Sequence, residues 1–122
     1  GYRNMDRSFL EENGVNVEAG LELLGDMDMY NETMNDFLSE INEKMPKVIE
    51  YKNSGDMPNY AILVHSIKSD SKYLGFTHLA ELAYNHEMKS KENDVEYVNA
   101  NFEELENEVN RIIGIIKEYL GV

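Results

Sequence analysis

The chain has 122 residues, 42% hydrophobic and 29% charged, with two prolines, no cysteine and a formal net charge of −13. This fits one globular domain around a single core and excludes a collagen-like fibre, a disordered tail, disulfide staples and cysteine-ligated zinc. No apolar run approaches the ~18 residues of a membrane span, and the acidic balance disfavours nucleic acid and anionic lipid, so a protein or small-ligand partner is expected.

Gly1 to Ser8 carry Arg3, Asp6 and Arg7 and lack the apolar stretch of a secretory signal, which with the absent cysteines points to the cytoplasm. Apolar residues recur every three or four positions without strand-like alternation, so the chain reads as all-α. A weak helix is expected from about Asn4 to Glu12, anchored by Phe9 and Leu10 and ended by Asn13-Gly14; residues 1–12 suit a frayed terminus equally well. Asn16 caps a second short helix through Leu24, and Gly25 ends it.

The first long helix is expected from near Asp28 to about Asn53, with Tyr30, Met34, Phe37, Leu38, Ile41, Met45 and Ile49 on one side and a kink or break at Pro46. After the turn Asn53-Ser54-Gly55-Asp56 a helix with Pro58 in its first turn runs to about Leu74 and stops at Gly75. Thr77 is expected to cap the next helix, which reaches Lys91. Asp94 caps the last, striped by Val98, Phe102, Leu105, Val109, Ile112, Ile113, Ile116 and Leu120. Short turns between four long helices imply an antiparallel up-down four-helix bundle in one domain spanning residues 1–122, with one or two short N-terminal helices capping an end.

On the helix ending at Leu74, the residues Tyr60, Leu63, Val64, Ile67, Ser71 and Leu74 form the core stripe. At 100° per residue His65 falls about 150° from the centre of that stripe and faces solvent, sharing its face with Ala61, Lys68, Ser69 and Lys72. A phosphoryl group on the imidazole would add nearly two negative charges, which Lys68 and Lys72 can offset, while the small Ala61 and Ser69 leave room for another protein. An ordinary surface histidine among solvated lysines fits the same geometry.

The run His65-Ser66-Ile67-Lys68-Ser69-Asp70-Ser71-Lys72-Tyr73-Leu74-Gly75-Phe76 resembles the signature of histidine-containing phosphotransfer domains, including those of chemotaxis kinases: His-x-x-Lys-Gly-x-Ser/Ala-x-x-x-Gly. Weaker similarity extends from about Asn13 to Ile113, through Asn13-Gly14-Val15-Asn16, Gly25-Asp26 to Phe37-Leu38, and Leu79 with Glu87. The resemblance implies that His65 is phosphorylated, with Lys68 beside it, that Ser71 packs on the core, and that Gly75 ends the helix. Ala61, Ile62 and Ser69 are expected to be receiver-docking positions, Ser69 standing where the family has a glycine that lets a receiver approach. The chain would then be a phosphocarrier and not an enzyme, taking phosphate from a receiver aspartate or a kinase and passing it to a response-regulator receiver.

Expected partners are response-regulator receivers or a hybrid sensor kinase, with magnesium on the receiver and no cofactor here. No glycine-rich nucleotide loop is present, so self-phosphorylation is not expected. Ser69 departs from the family glycine and Phe76 from a common alanine, and Ser69 keeps open an alternative: a degenerate module that binds receivers without accepting phosphate. His86, in register with Leu79, Leu82 and Ala83, reads as a core-boundary histidine and His78 as an exposed one. Their spacing of eight, with Glu81 nearby, makes a poor metal site. Met27, Met29, Met34 and Met45 read as core filling, and Glu103, Glu104, Glu106 and Glu108 as a solvated face.

Overall fold

The computed structural model describes residues 6–122, which form six helices: α1 Arg7–Glu12, α2 Val17–Leu24, α3 Met27–Ser54, α4 Met57–Leu74, α5 Thr77–Lys91 and α6 Val95–Leu120. Among the described residues there is no strand, and no helix is long and apolar enough to cross a membrane. The expected start near Asn4 lies outside the described residues. Local chemistry sets most of the remaining ends. Asp6, Asn16, Asp26, Asp56 and Asp94 each turn a side-chain oxygen onto a first-turn backbone N–H that has no helical partner.

Two elements depart from the local rules. α3 continues unbroken through Pro46; both Pro46 and Asn42, whose carbonyl loses its helical donor, are exposed, so water can supply the missing bond. α5 is not capped by Thr77, which is its first helical residue; Phe76 holds the cap position and makes no side-chain cap bond. The Phe76 ring is buried edge-on against Phe37 at 5.3 Å between centroids, and its N–H closes the end of α4 onto the Ser71 carbonyl. Core packing, not capping chemistry, decides where α5 begins.

α3 packs on α4, α4 on α5, α5 on α6 and α6 back on α3, while α2 lies against α3 and α4 and α1 against α2 and α6. Each long helix is covered by two neighbours, so its buried arc is wider than a single stripe. Val48 is therefore fully buried where Met45 and Ile49 are only half-buried, Met57 and Ala61 are buried while Leu63 is not, and Ile115 is buried beside Ile112 and Ile116. Of the methionines read as core filling, Met34 is buried and Met29 is exposed. Glu108 also departs from the expected solvated face: it is buried, and Arg111 one turn later covers both its oxygens at 2.7 and 2.9 Å while donating to the Asn13 carbonyl.

Backbones approach closely at the junction of α2, α4 and α5. Asn16 N–H donates to the Gly75 carbonyl at 2.8 Å, and Tyr30 Oη donates to the Leu74 carbonyl at 2.5 Å. Gly75 sits at φ +78°, and a Cβ there would overlap the Asn16 carbonyl. Gly75→Ala is thus expected to destabilise by about 2 kcal/mol or more. Gly114→Ala, inside α6 with open space around the added methyl, should instead stabilise by about 0.5–1 kcal/mol. Thermal unfolding followed by circular dichroism reads both signs, and a Gly75→Ala midpoint equal to wild type would remove the close-approach argument.

Candidate functional site

α4 and α5 share the most extensive contact between any two helices. Small residues permit it: Ala61 and Ser71 on α4, and Ala80, Ala83 and Ser90 on α5, are all buried. Positions three and four apart on a helix lie on one face. α4 accordingly brings His65 and Lys68 to the seam, and α5 brings Glu87 and Lys91.

Glu87 organises these groups. Its side chain is only 2% exposed, yet it accepts three polar contacts: His65 Nδ1 on Oε2 at 2.6 Å, Lys91 Nζ on Oε2 at 2.9 Å, and Lys68 Nζ on Oε1 at 2.6 Å. Burial alone would raise its pKa, but the bonds from Lys68, Lys91 and His65 outweigh it and hold the carboxyl down at about 2. An ionised carboxylate can only accept, so His65 Nδ1 carries the hydrogen. In the neutral ring the lone pair then belongs to Nε2. His65 itself is 55% exposed.

The two lysines differ in freedom. Lys68 is 14% exposed, held between Glu87 and the face of the Tyr84 ring, whose centroid lies 5.5 Å from its Nζ. Lys91 is 58% exposed. A groove of about 690 Å³ opens beside the imidazole, lined by Pro58, Ala61, Ile62 and His65 from α4 and by Glu87, Ser90, Lys91 and Asn93. Ala61 is buried against α5, while Ile62 is among the most exposed large apolar side chains. Ser69 is half-buried one turn past His65. Lys72 is exposed a further turn along and lines a second depression with Ser71, Gly75 and Tyr84, so it is not brought to the His65–Glu87 cluster. Ser71 is fully buried and Gly75 closes the helix.

The other histidines stand apart from this cluster. His86 is buried; its Nε2 lies 3.1 Å from the Asn101 carbonyl and must donate to it, so Nδ1 accepts from Tyr60 Oη at 2.8 Å. Burial lowers its pKa, which favours this neutral tautomer. His78 is exposed near Glu103, Glu104 and Arg111. Among the described residues no three His, Asp or Glu side chains are grouped as a metal ion would require.

Sequence reasoning named Glu87 only as a point of resemblance and passed over Lys91. A signal was present: Glu87 lies four residues after Ala83 and eight after Leu79, on the core stripe of α5, where a carboxylate needs cationic partners.

Comparison with protein families matches a model described as the Hpt domain over residues 27–114, well over half of the chain. Neither the curated proteins nor the solved structures compared give a match.

The depressed pKa of Glu87 makes a prediction about acid stability. A carboxyl whose folded pKa lies below its unfolded value stabilises fully above the unfolded value, here 4.5, and loses that contribution as pH falls through about 2. The contribution is on the order of 3 kcal/mol. Denaturant unfolding of wild type and Glu87→Gln at several pH values across this window should show a steeper acid loss for wild type; parallel curves would mean that Glu87 is not held ionised by its partners.

Proposed function

Because the chain belongs to the Hpt domain family, we propose that His65 is the residue that carries the phosphoryl group, accepting it from a receiver-domain aspartate or a kinase and passing it to a response-regulator receiver. Membership makes the chain a histidine phosphotransfer module of two-component signalling, a phosphocarrier by class. The observation that carries the assignment to His65 is its 2.6 Å bond to Glu87. Of the three histidines, only this one is both exposed and fixed in the tautomer that leaves Nε2 nucleophilic.

In the reaction we envisage, Nε2 attacks the phosphorus of an aspartyl phosphate. The N–P bond forms as the P–O bond to the aspartate breaks, and the carboxylate leaves with the electron pair. The imidazole becomes positive, and Glu87 faces that charge through Nδ1–H, as an orienting carboxylate does in other histidine-dependent transfers. Attack by a second receiver aspartate reverses these steps and restores the neutral ring. Positioning and charge neutralisation account for most phosphoryl-transfer catalysis, and the receiver's magnesium supplies much of both. This chain is read as needing no cofactor of its own.

The groove beside His65 supports receiver docking. Ile62 offers exposed apolar surface one turn before the imidazole, and Ala61 keeps the groove open. The half-buried Ser69 is small enough for a partner to approach over it. The short turns and the α3–α4–α5–α6–α3 packing order favour an up-down four-helix bundle in one domain, and the cytoplasm suits a cysteine-free partner of receivers.

Incubation with a phosphorylated receiver should label wild type on Nε2 of His65, leave His65→Gln unlabelled, and label Glu87→Gln roughly 10²-fold more slowly. Undiminished labelling of His65→Gln would reject the assignment. Receiver binding without labelling of wild type would favour the degenerate binding module instead.

A further inference from the structure

The two lysines on Glu87 are not equivalent, and the difference points to separate roles. Lys68 is mostly buried, occupies Oε1 alone and is backed by Tyr84. Lys91 is mostly exposed, lines the same groove as His65, and shares Oε2 with the imidazole. Its Nζ is therefore no farther from His65 Nδ1 than the sum of two hydrogen-bond lengths, 2.9 and 2.6 Å.

We infer that Lys91 is a phosphoryl-responsive cation: it pairs with Glu87 while His65 is free and swings its ammonium onto the phosphoryl oxygens once Nε2 is charged. The inference rests on His65 being the carrier. A phosphoryl group brings nearly two negative charges to within reach of Lys91, while Glu87 keeps Lys68 as counter-ion and His65 Nδ1–H as donor after Lys91 leaves. Departure also frees Oε2 for the imidazole at the moment the ring becomes positive, so phosphorylation and the lysine movement favour each other. Lys68 cannot take this part without stripping a buried carboxylate of its innermost cation. Lys72 is excluded by distance along the helix, two turns beyond His65. Because Lys91 forms part of the groove wall, the movement gives a docking receiver a different surface in the charged and uncharged states.

The test needs no partner protein. The full chain is charged with inorganic phosphoramidate, which places a phosphoryl group on an imidazole nitrogen and releases ammonia. The second ionisation of the phosphoryl group is then followed by ³¹P NMR against pH. A cation on its oxygens favours the dianion, so Lys91→Gln should raise the midpoint by roughly half to one pH unit, with Lys91→Arg restoring it. In wild type the Lys91 Nζ resonance should move on charging while that of Lys68 stays. Lys91 is exposed, so neither variant should unfold the domain. An unchanged midpoint in Lys91→Gln, or a Lys91 resonance that does not move, overturns the inference. His78 is also exposed and can be charged by the same reagent, so His65 is read from the phosphohistidine signal that wild type shows and His65→Gln lacks; if wild type shows no such additional signal, the carrier reading itself is overturned.

Discussion

A carboxylate that is 2% exposed must be surrounded by donors, and the seam between α4 and α5 is built to meet that demand at Glu87. Left alone in the interior, its charge would force the carboxyl to take up a proton or the helices to part. Lys68, Lys91 and His65 together reverse the effect of burial, and the same bonds fix the orientation of the imidazole. Stability and chemistry are one arrangement here: the bond that orients the histidine ring, donated by Nδ1–H to Glu87, also helps to keep the carboxylate ionised.

That arrangement depends on how closely α4 and α5 approach. Ala61, Ala80, Ala83 and Ser90 thin the interface on both sides. At the far end of α4, Gly75 lets the chain turn sharply beneath the Asn16 backbone, and Phe76 drops into the core against Phe37. The start of α5 is thereby set relative to the end of α4, and helical geometry carries that register along to Glu87, about three turns later. His86, one residue earlier on α5, is pinned between Tyr60 and Asn101 and holds the rotation of the helix from its buried side.

The electrostatic character of the site runs against that of the whole chain. A net charge of −13 surrounds a seam where lysines outnumber carboxylates. Much of that positive charge is consumed locally by Glu87, so the groove beside His65 is a mostly apolar surface with one exposed cation at its wall and not a basic patch. Such a surface suits a folded protein partner better than a free polyanion.

Local signals in the sequence determined much of the fold. Side-chain caps at Asn16 and Asp94 and the stop at Gly75 mark ends that the structure reproduces to within a residue, because a cap is a bond between near neighbours and needs no tertiary context. Helical phase likewise determined that His65 faces outward, since it depends only on position along α4. The start of α5 and the burial of Glu108 were decided by packing, where a ring in the core or an arginine a turn away outweighs the local rule, and the helix runs on through Pro46 where the freed carbonyl is open to water. The same holds for the site. The sequence by itself put His65 and Lys68 on one face of one helix, but Glu87 and Lys91 lie on the next, and only the close packing of α4 against α5 turned an exposed histidine beside a lysine into an imidazole held in one tautomer by a buried carboxylate.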